Sequence, residues 1–268
     1  MRIVLTQLSR HTSDVASNFE ALGRLAARSA ELRPGDLLLL PELVGGDAGR
    51  AAYEAQVQAL AARLGVWVVG GSHFARAGEE VTNSGVVADP VGQIAARYGK
   101  LNPYGDERSR GTRPGPGPAA LRIGELSCLV MICADFWHAS AFHDAGPAPD
   151  LILVPAFSAS QRPEPHMARA RWRHAMVARA YEFAAFVAVS DWAHPTPFGA
   201  GVSSGVAGLA HPNPEYAREL HRGLGRRRMA GFELDLAPIR DLRANRQARG
   251  FDLTRHLQSG PVRRTHSG

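Results

Sequence analysis

Lysine is all but missing from this chain. Of 31 basic side chains in 268 residues, Lys100 is the single lysine and the other 30 are arginine. A sequence that uses guanidinium for generic positive charge has a reason to keep one ammonium. That group is a compact charge with three rotatable donors, and it fits a tight pocket that a broad planar fork does not. Cysteine is nearly as scarce. Two residues, Cys128 and Cys133, cannot form a disulfide framework and lack zinc-site spacing, so neither a metal nor another cofactor is expected. Long apolar runs are absent too, none reaching the ~18 residues of a membrane span. Met1 to Leu5 gives way to polar residues too soon for a signal peptide, which leads us to expect a cytoplasmic protein with no membrane partner. The charge excess, 31 basic against 25 acidic residues, is small and spread along the whole chain, so no nucleic-acid partner is expected.

What is present is a globular composition, 45% hydrophobic and 21% charged. A chain of this length buries roughly 75% of its unfolded surface and can hold one core without disulfide or metal staples. Apolar runs at Arg2 to Leu8, Asp36 to Glu42, Val66 to Gly71, Ser127 to Ile132, Leu151 to Pro155 and Phe186 to Ser190 read as buried strands. Helical spacing runs over Asp14 to Leu32, stopped by Pro34 and Gly35, over Arg50 to Leu64, and over Met167 to Phe183. Asn83 to Ile94 reads as a hairpin turning at Asp89 to Gly92. Leu121 to Ile123, Gly205 to Ala210 and Gly231 to Leu236 complete the expected strands. The segment from Lys100 to Pro118, rich in Gly, Pro and charge, reads as an ordered functional loop. Strands alternating with helices predict an α/β layered fold in a single domain.

Three of the expected strands end on a reactive side chain: Glu42, Lys100 and Cys133. Strand ends are where sites gather in α/β folds. Together a thiol, a carboxylate and an ammonium can carry out acyl transfer, as nucleophile, proton carrier and oxyanion stabiliser.

In these blocks the chain resembles the nitrilase, or carbon-nitrogen hydrolase, superfamily. Leu38-Leu39-Leu40-Pro41-Glu42 is similar to its Glu block, Tyr98-Gly99-Lys100-Leu101-Asn102-Pro103-Tyr104 to its Lys block, and Val130-Met131-Ile132-Cys133-Ala134-Asp135 to its Cys block. Arg179-Ala180-Tyr181-Glu182 resembles a further helix motif, in which Glu182 is expected to be a structural ion-pairing residue. The resemblance covers residues 1–245, leaving 246–268 as a C-terminal tail, either an arm at an oligomer interface or a disordered segment. It implies a four-layer αββα sandwich and at least a homodimer. It also implies Glu42 as general base, Lys100 as oxyanion stabiliser, Cys133 as nucleophile and the Ala134 N–H as a second oxyanion donor. A second glutamate follows the lysine in this superfamily, and Glu107 matches it best, with Asp106 competing. Trp137 and Phe157, just after the Cys block and the strand that follows it, are candidates for the substrate-pocket wall. The chain departs from the common pattern at Ala134 to Ser140 and at Asn102, where relatives contact substrate.

The function implied is hydrolysis of a small, non-peptide linear amide or N-carbamoyl compound through a thioester, with ammonia or an amine released. The alternatives are an acyltransferase or a nitrilase using the same three residues, or a catalytically silent scaffold subunit.

Overall fold

The computed structural model describes residues 1–142, 149–162, 164–251 and 253–254. Most of its strands lie in two sheets that meet along the central strand Arg2–Leu8, while Ala159–Ser160, Gly201–Ser203 and Pro197–Phe198 form a separate three-stranded sheet. In the first sheet Arg2–Leu8 pairs in parallel with Leu37–Leu39, which pairs in parallel with Trp67–Val69. The hairpin of Glu80–Ala88 and Ile94–Gly99, together with His73–Ala77, extends this sheet, and Met229–Glu233 runs antiparallel along the other edge of Arg2–Leu8. In the second sheet Phe186–Trp192, Leu151–Pro155 and Leu126–Val130 are parallel neighbours, with Ala119–Ile123 antiparallel at the edge. The sheets join where Gln7 and Leu8 pair with Asp191 and Trp192.

Side-chain alternation along the strands explains the layering. Ile3, Leu5, Leu37, Leu39 and Val87 from the first sheet pack against Cys128, Val130, Leu151, Leu153 and Ala188 from the second, forming the central apolar layer. The opposite faces carry helices. Phe19 and Leu22 of helix Val15–Ala27, with Tyr53 and Val57 of helix Arg50–Leu64, cover Val4, Leu38 and Val68. Trp172, Met176 and Ala180 of helix His166–Phe183 cover Leu129, Ile152 and Val187. The order is helix, sheet, sheet, helix, the αββα sandwich that the family resemblance implies.

Several boundaries move. Helix Val15–Ala27 starts where Asp14 accepts the Ser17 N–H at 2.8 Å and ends well before Pro34. Strand Leu37–Leu39 stops short of Pro41, which has no N–H to donate to a ladder. A helix not expected from the sequence, Ala237–Ala248, crosses the 245/246 boundary assigned to the tail. Arg246 on this helix is buried, donates to the carbonyls of Tyr181 and Glu182, and lies 4.2 Å over the Tyr181 ring. Residues 246–251 therefore belong to the folded body, while most of the remaining tail lies outside the described residues. No helix among the described residues is long and apolar enough to cross a membrane.

Candidate active site

The central strands of both sheets run in parallel, so their C-terminal ends emerge at one end of the sandwich, as does that of Ile94–Gly99. Glu42 follows Leu37–Leu39, Lys100 follows Ile94–Gly99, Cys133 follows Leu126–Val130 and Phe157 follows Leu151–Pro155. These four residues line one cavity of about 700 Å³. Its floor sits at the seam between the sheets, where the Trp192 indole donates to the Glu42 carbonyl at 2.7 Å.

Glu42 and Lys100 are 2% and 3% exposed, too deep for water to screen them. Lys100 Nζ donates to Glu42 Oε1 at 2.7 Å and, in a very short contact, to Glu107 Oε2. Glu42 Oε2 accepts the Phe157 backbone N–H at 2.9 Å, which aims the carboxylate between the ammonium and the thiol. Glu107, at the start of the one-turn helix Asp106–Ser109, also accepts the Tyr104 N–H at 2.9 Å. The competing Asp106 lines the cavity wall instead and makes no contact with Lys100.

Cys133 opens a single 3-10 turn, Cys133–Trp137, with a backbone φ of 41°. That left-handed conformation costs a non-glycine residue about 1–2 kcal/mol and is held by the structure on either side. The turn puts the thiol against Glu42, with Sγ 3.8 Å from the Phe157 carbonyl. Ala134 lines the cavity, and its N–H lies in the first turn of this segment, where no intrahelical acceptor exists. Asp135 fastens this turn to the lysine loop. It accepts the backbone N–H groups of Leu101 and Asn102 at 2.9 and 2.8 Å and the Asn102 side-chain amide at 2.8 Å.

Burial dominates the proton affinities. It pushes the Glu42 carboxyl above the usual carboxylate range, an effect opposed by Lys100 and reinforced by the negative Glu107 nearby. Burial, and then repulsion from Glu42, holds the Cys133 thiol well above its ordinary value, so the resting group is a neutral thiol. For Lys100 burial acts the other way, yet Glu42, Cys133 and Glu107 together outweigh it and the ammonium is held charged. This arrangement can move one proton between sulfur and carboxylate beside a fixed cation.

Of the remaining expected residues, Phe157 and Trp137 line the cavity while Glu182 and Cys128 lie away from it. Phe157 is buried in the wall at 5% exposure, whereas Trp137 stands 45% exposed at the rim, its ring edge-on to Trp172 with centroids 5.1 Å apart. Glu182 pairs with Arg179 away from the cavity, and Cys128 is buried in the central layer. Among the described residues, no group of three or more His, Cys, Asp or Glu side chains is placed to hold a metal ion. Two contributors escape the sequence reading: Asp135 as a fastener, and Asn83, whose side-chain amide bridges Glu42 and Glu107. Their partners lie 24 to 41 residues away in sequence, and only their place inside the Cys block and the hairpin marks them.

Comparison with known proteins agrees with this fold. A profile of the carbon-nitrogen hydrolase family matches residues 2–196. Among solved structures, the chain is similar to an amidase from Nesterenkonia sp., with 24% identity over 93% of this chain and 96% of that one at a TM-score of 0.71. It is similar to XC1258 from Xanthomonas campestris, described as a CN-hydrolase superfamily protein with an arsenic adduct in its active site (22% identity, 92% and 95% covered, TM-score 0.72). It is also similar to Saccharomyces cerevisiae Nit3, a member of branch 10 of the nitrilase superfamily (16% identity, 92% and 93% covered, TM-score 0.73). No curated protein matches the chain significantly. The ordered sandwich, the buried cluster at its parallel strand ends and the profile match over most of its length lead to one assignment: the chain belongs to the carbon-nitrogen hydrolase family.

Proposed function

We propose that this protein is a cysteine-dependent amidohydrolase acting on a small linear amide or N-carbamoyl compound. The observation that carries the reading is the convergence of a thiol, a buried carboxylate and a buried ammonium at the floor of one cavity. Glu42 takes the proton of Cys133 as sulfur attacks the carbonyl carbon. Negative charge then develops on the carbonyl oxygen, and Lys100 Nζ and the Ala134 N–H are the donors for it. When the C–N bond breaks, Glu42 gives its proton to the departing nitrogen, leaving a thioester on Cys133. Water, deprotonated by Glu42, attacks that thioester. As the C–S bond breaks the acid is released and the proton returns to sulfur. Glu107 keeps Lys100 in position through its ion pair.

The walls support an organic acyl group rather than a peptide chain. Phe157, Trp172, Phe198 and Trp137 give the cavity apolar faces, and a volume of about 700 Å³ suits a small molecule. The likeness to the Nesterenkonia amidase, a mutant of which carries acrylamide added to its active-site cysteine, supports an amide over a nitrile.

A panel of aliphatic, aromatic and N-carbamoyl amides tests the proposal by ammonia release, with Cys133→Ser as the control and mass spectrometry to detect the acyl adduct. Turnover with an adduct on Cys133, absent in the variant, is expected. Equal ammonia release by the Cys133→Ser protein would overturn the nucleophile assignment. Product formed only when an amine or hydroxylamine acceptor is added would make the protein an acyltransferase.

A further inference from the structure

Asn83 is a buried group at the site to which the proposed chemistry gives no part. It lies on strand Glu80–Ala88 with no exposed surface. Its Nδ2 is 2.8 Å from Glu42 Oε1 and 2.7 Å from Glu107 Oε1, and its backbone carbonyl accepts the Lys100 N–H at 2.8 Å. Glu42, Lys100, Glu107 and Asn83 thus form a closed ring in which both Asn83 amide hydrogens and two of the three Lys100 ammonium hydrogens face carboxylate oxygens. The amide can sit only one way round. Turned over, Oδ1 would face two carboxylate oxygens with no hydrogen between them, so the observed orientation holds even though Oδ1 has no partner among the described residues.

The ring decides where a proton can reside. An ionised carboxylate offers about four lone-pair positions. On Glu42, Asn83 and Lys100 fill those of Oε1, and the Phe157 N–H takes one of those on Oε2. One position remains, on Oε2, for the proton of Cys133. Charge points the same way, since two buried carboxylates face a single ammonium. A second cation there would bring the cluster to zero net charge and weaken Glu42 as a base. Two neutral N–H dipoles stabilise both carboxylates without changing the net charge and can neither give up nor accept a proton.

We propose that Asn83 is a positioning residue that keeps Glu42 ionised despite its burial and confines the proton taken from Cys133 to Oε2. This rests on the reading of Glu42 as the base for Cys133, and the test separates the two. Iodoacetamide alkylation of Cys133, followed against pH by peptide mass spectrometry, needs no substrate and reads the proton transfer directly. Three variants are compared with wild type: Glu42→Gln, Asn83→Ala and Asn83→Asp. Glu42→Gln should slow alkylation across the pH range. Both Asn83 variants should instead move its acid limb upward, by about one pH unit for Ala and further for Asp, so that the rate below the limb falls about tenfold. The acid limb of kcat/KM should move with it once a substrate is known.

Folded Asn83 variants whose acid limb stays at the wild-type pH would overturn the proposal, whatever their overall rate, because loss of packing alone scales the curve without moving it. If Glu42→Gln leaves alkylation unchanged, the base reading itself fails and this one with it. If neither Asn83 variant folds, wild-type protein labelled with 15N-asparagine decides. One side-chain amide should show both proton resonances shifted by Glu42→Gln and again by Glu107→Gln, and the absence of any such pair would overturn the assignment.

Discussion

Lys100 lies between two carboxylates at a depth where every donor direction matters. Two of its three N–H bonds go to Glu42 and Glu107, and in the proposed mechanism the third serves the developing oxyanion. Arginine keeps the charge but spreads it over a planar fork that cannot occupy a point between two carboxylates and a thiol. Lys100→Arg is therefore expected to retain the circular-dichroism spectrum of the wild type while kcat falls at least about tenfold. Retention of most of the activity would remove the oxyanion role from Lys100. His73 poses a different single-residue question. Its Nδ1 donates to the Ser84 carbonyl at 2.8 Å, its ring stacks on Tyr53 at 4.1 Å, and Nε2 is buried with no partner among the described residues. Burial lowers its pKa to about 4 from the ordinary 6.5, so between these values the unfolded chain binds a proton that the folded chain refuses. Stability is then lost as pH falls from 6.5 toward 4, by up to about 3 kcal/mol. His73→Asn keeps a donor for Ser84 but cannot titrate. Urea unfolding of the two proteins should diverge as pH falls, with the wild type losing ground, and parallel curves would show that His73 carries no such linkage.

The elements that matter most to the site are two loops pinned together by one carboxylate. Asp135 takes three hydrogen bonds from Leu101 and Asn102, and burial raises its carboxyl even with those donors present. Removing it strands three part-buried N–H groups and frees the residues next to Lys100. Asp135→Ala should cost about 2 kcal/mol or more in unfolding free energy and lower kcat as well, with Asp135→Asn intermediate because one acceptor survives. A stability loss without a kcat loss would show that the lysine loop holds its place unaided. This pinning also marks the limit of what the sequence discloses. Runs such as Leu37–Leu39 and Leu151–Pro155 are legible because strands buried on both faces are apolar throughout, and the reactive residues stand out at their ends. The turn at Cys133–Trp137 has no period to read, and the roles of Asp135 and Asn83 depend on partners brought in from other strands. Helix Ala237–Ala248 is missed because Ile239 is its one buried apolar side chain and its other buried anchor, Arg246, is a charged residue that no apolar pattern reveals.

At the scale of the whole molecule, the two sheets are one cooperative body only to the extent that they share a core. Arg2–Leu8 provides the link, pairing with the first sheet through Ile3 to Leu5 and with the second through Gln7 and Leu8. Leu5, fully buried between Leu39 and Ala230, belongs to the central layer to which both sheets contribute. The site lies on the same seam, where Glu42 comes from one sheet and Cys133 from the other. Chains of this size often unfold in stages, but neither sheet here can bury its inner face without the other. Leu5→Ala should cost about 2–5 kcal/mol through lost burial and the cavity left behind. It should also shift the far-ultraviolet circular-dichroism transition and the tryptophan-fluorescence transition to the same lower urea concentration, because Trp192 is buried where the sheets join. Two separated transitions, with only one moved by the substitution, would mean that each sheet and its helices fold independently. The active site would then be an interface between two units rather than part of one core.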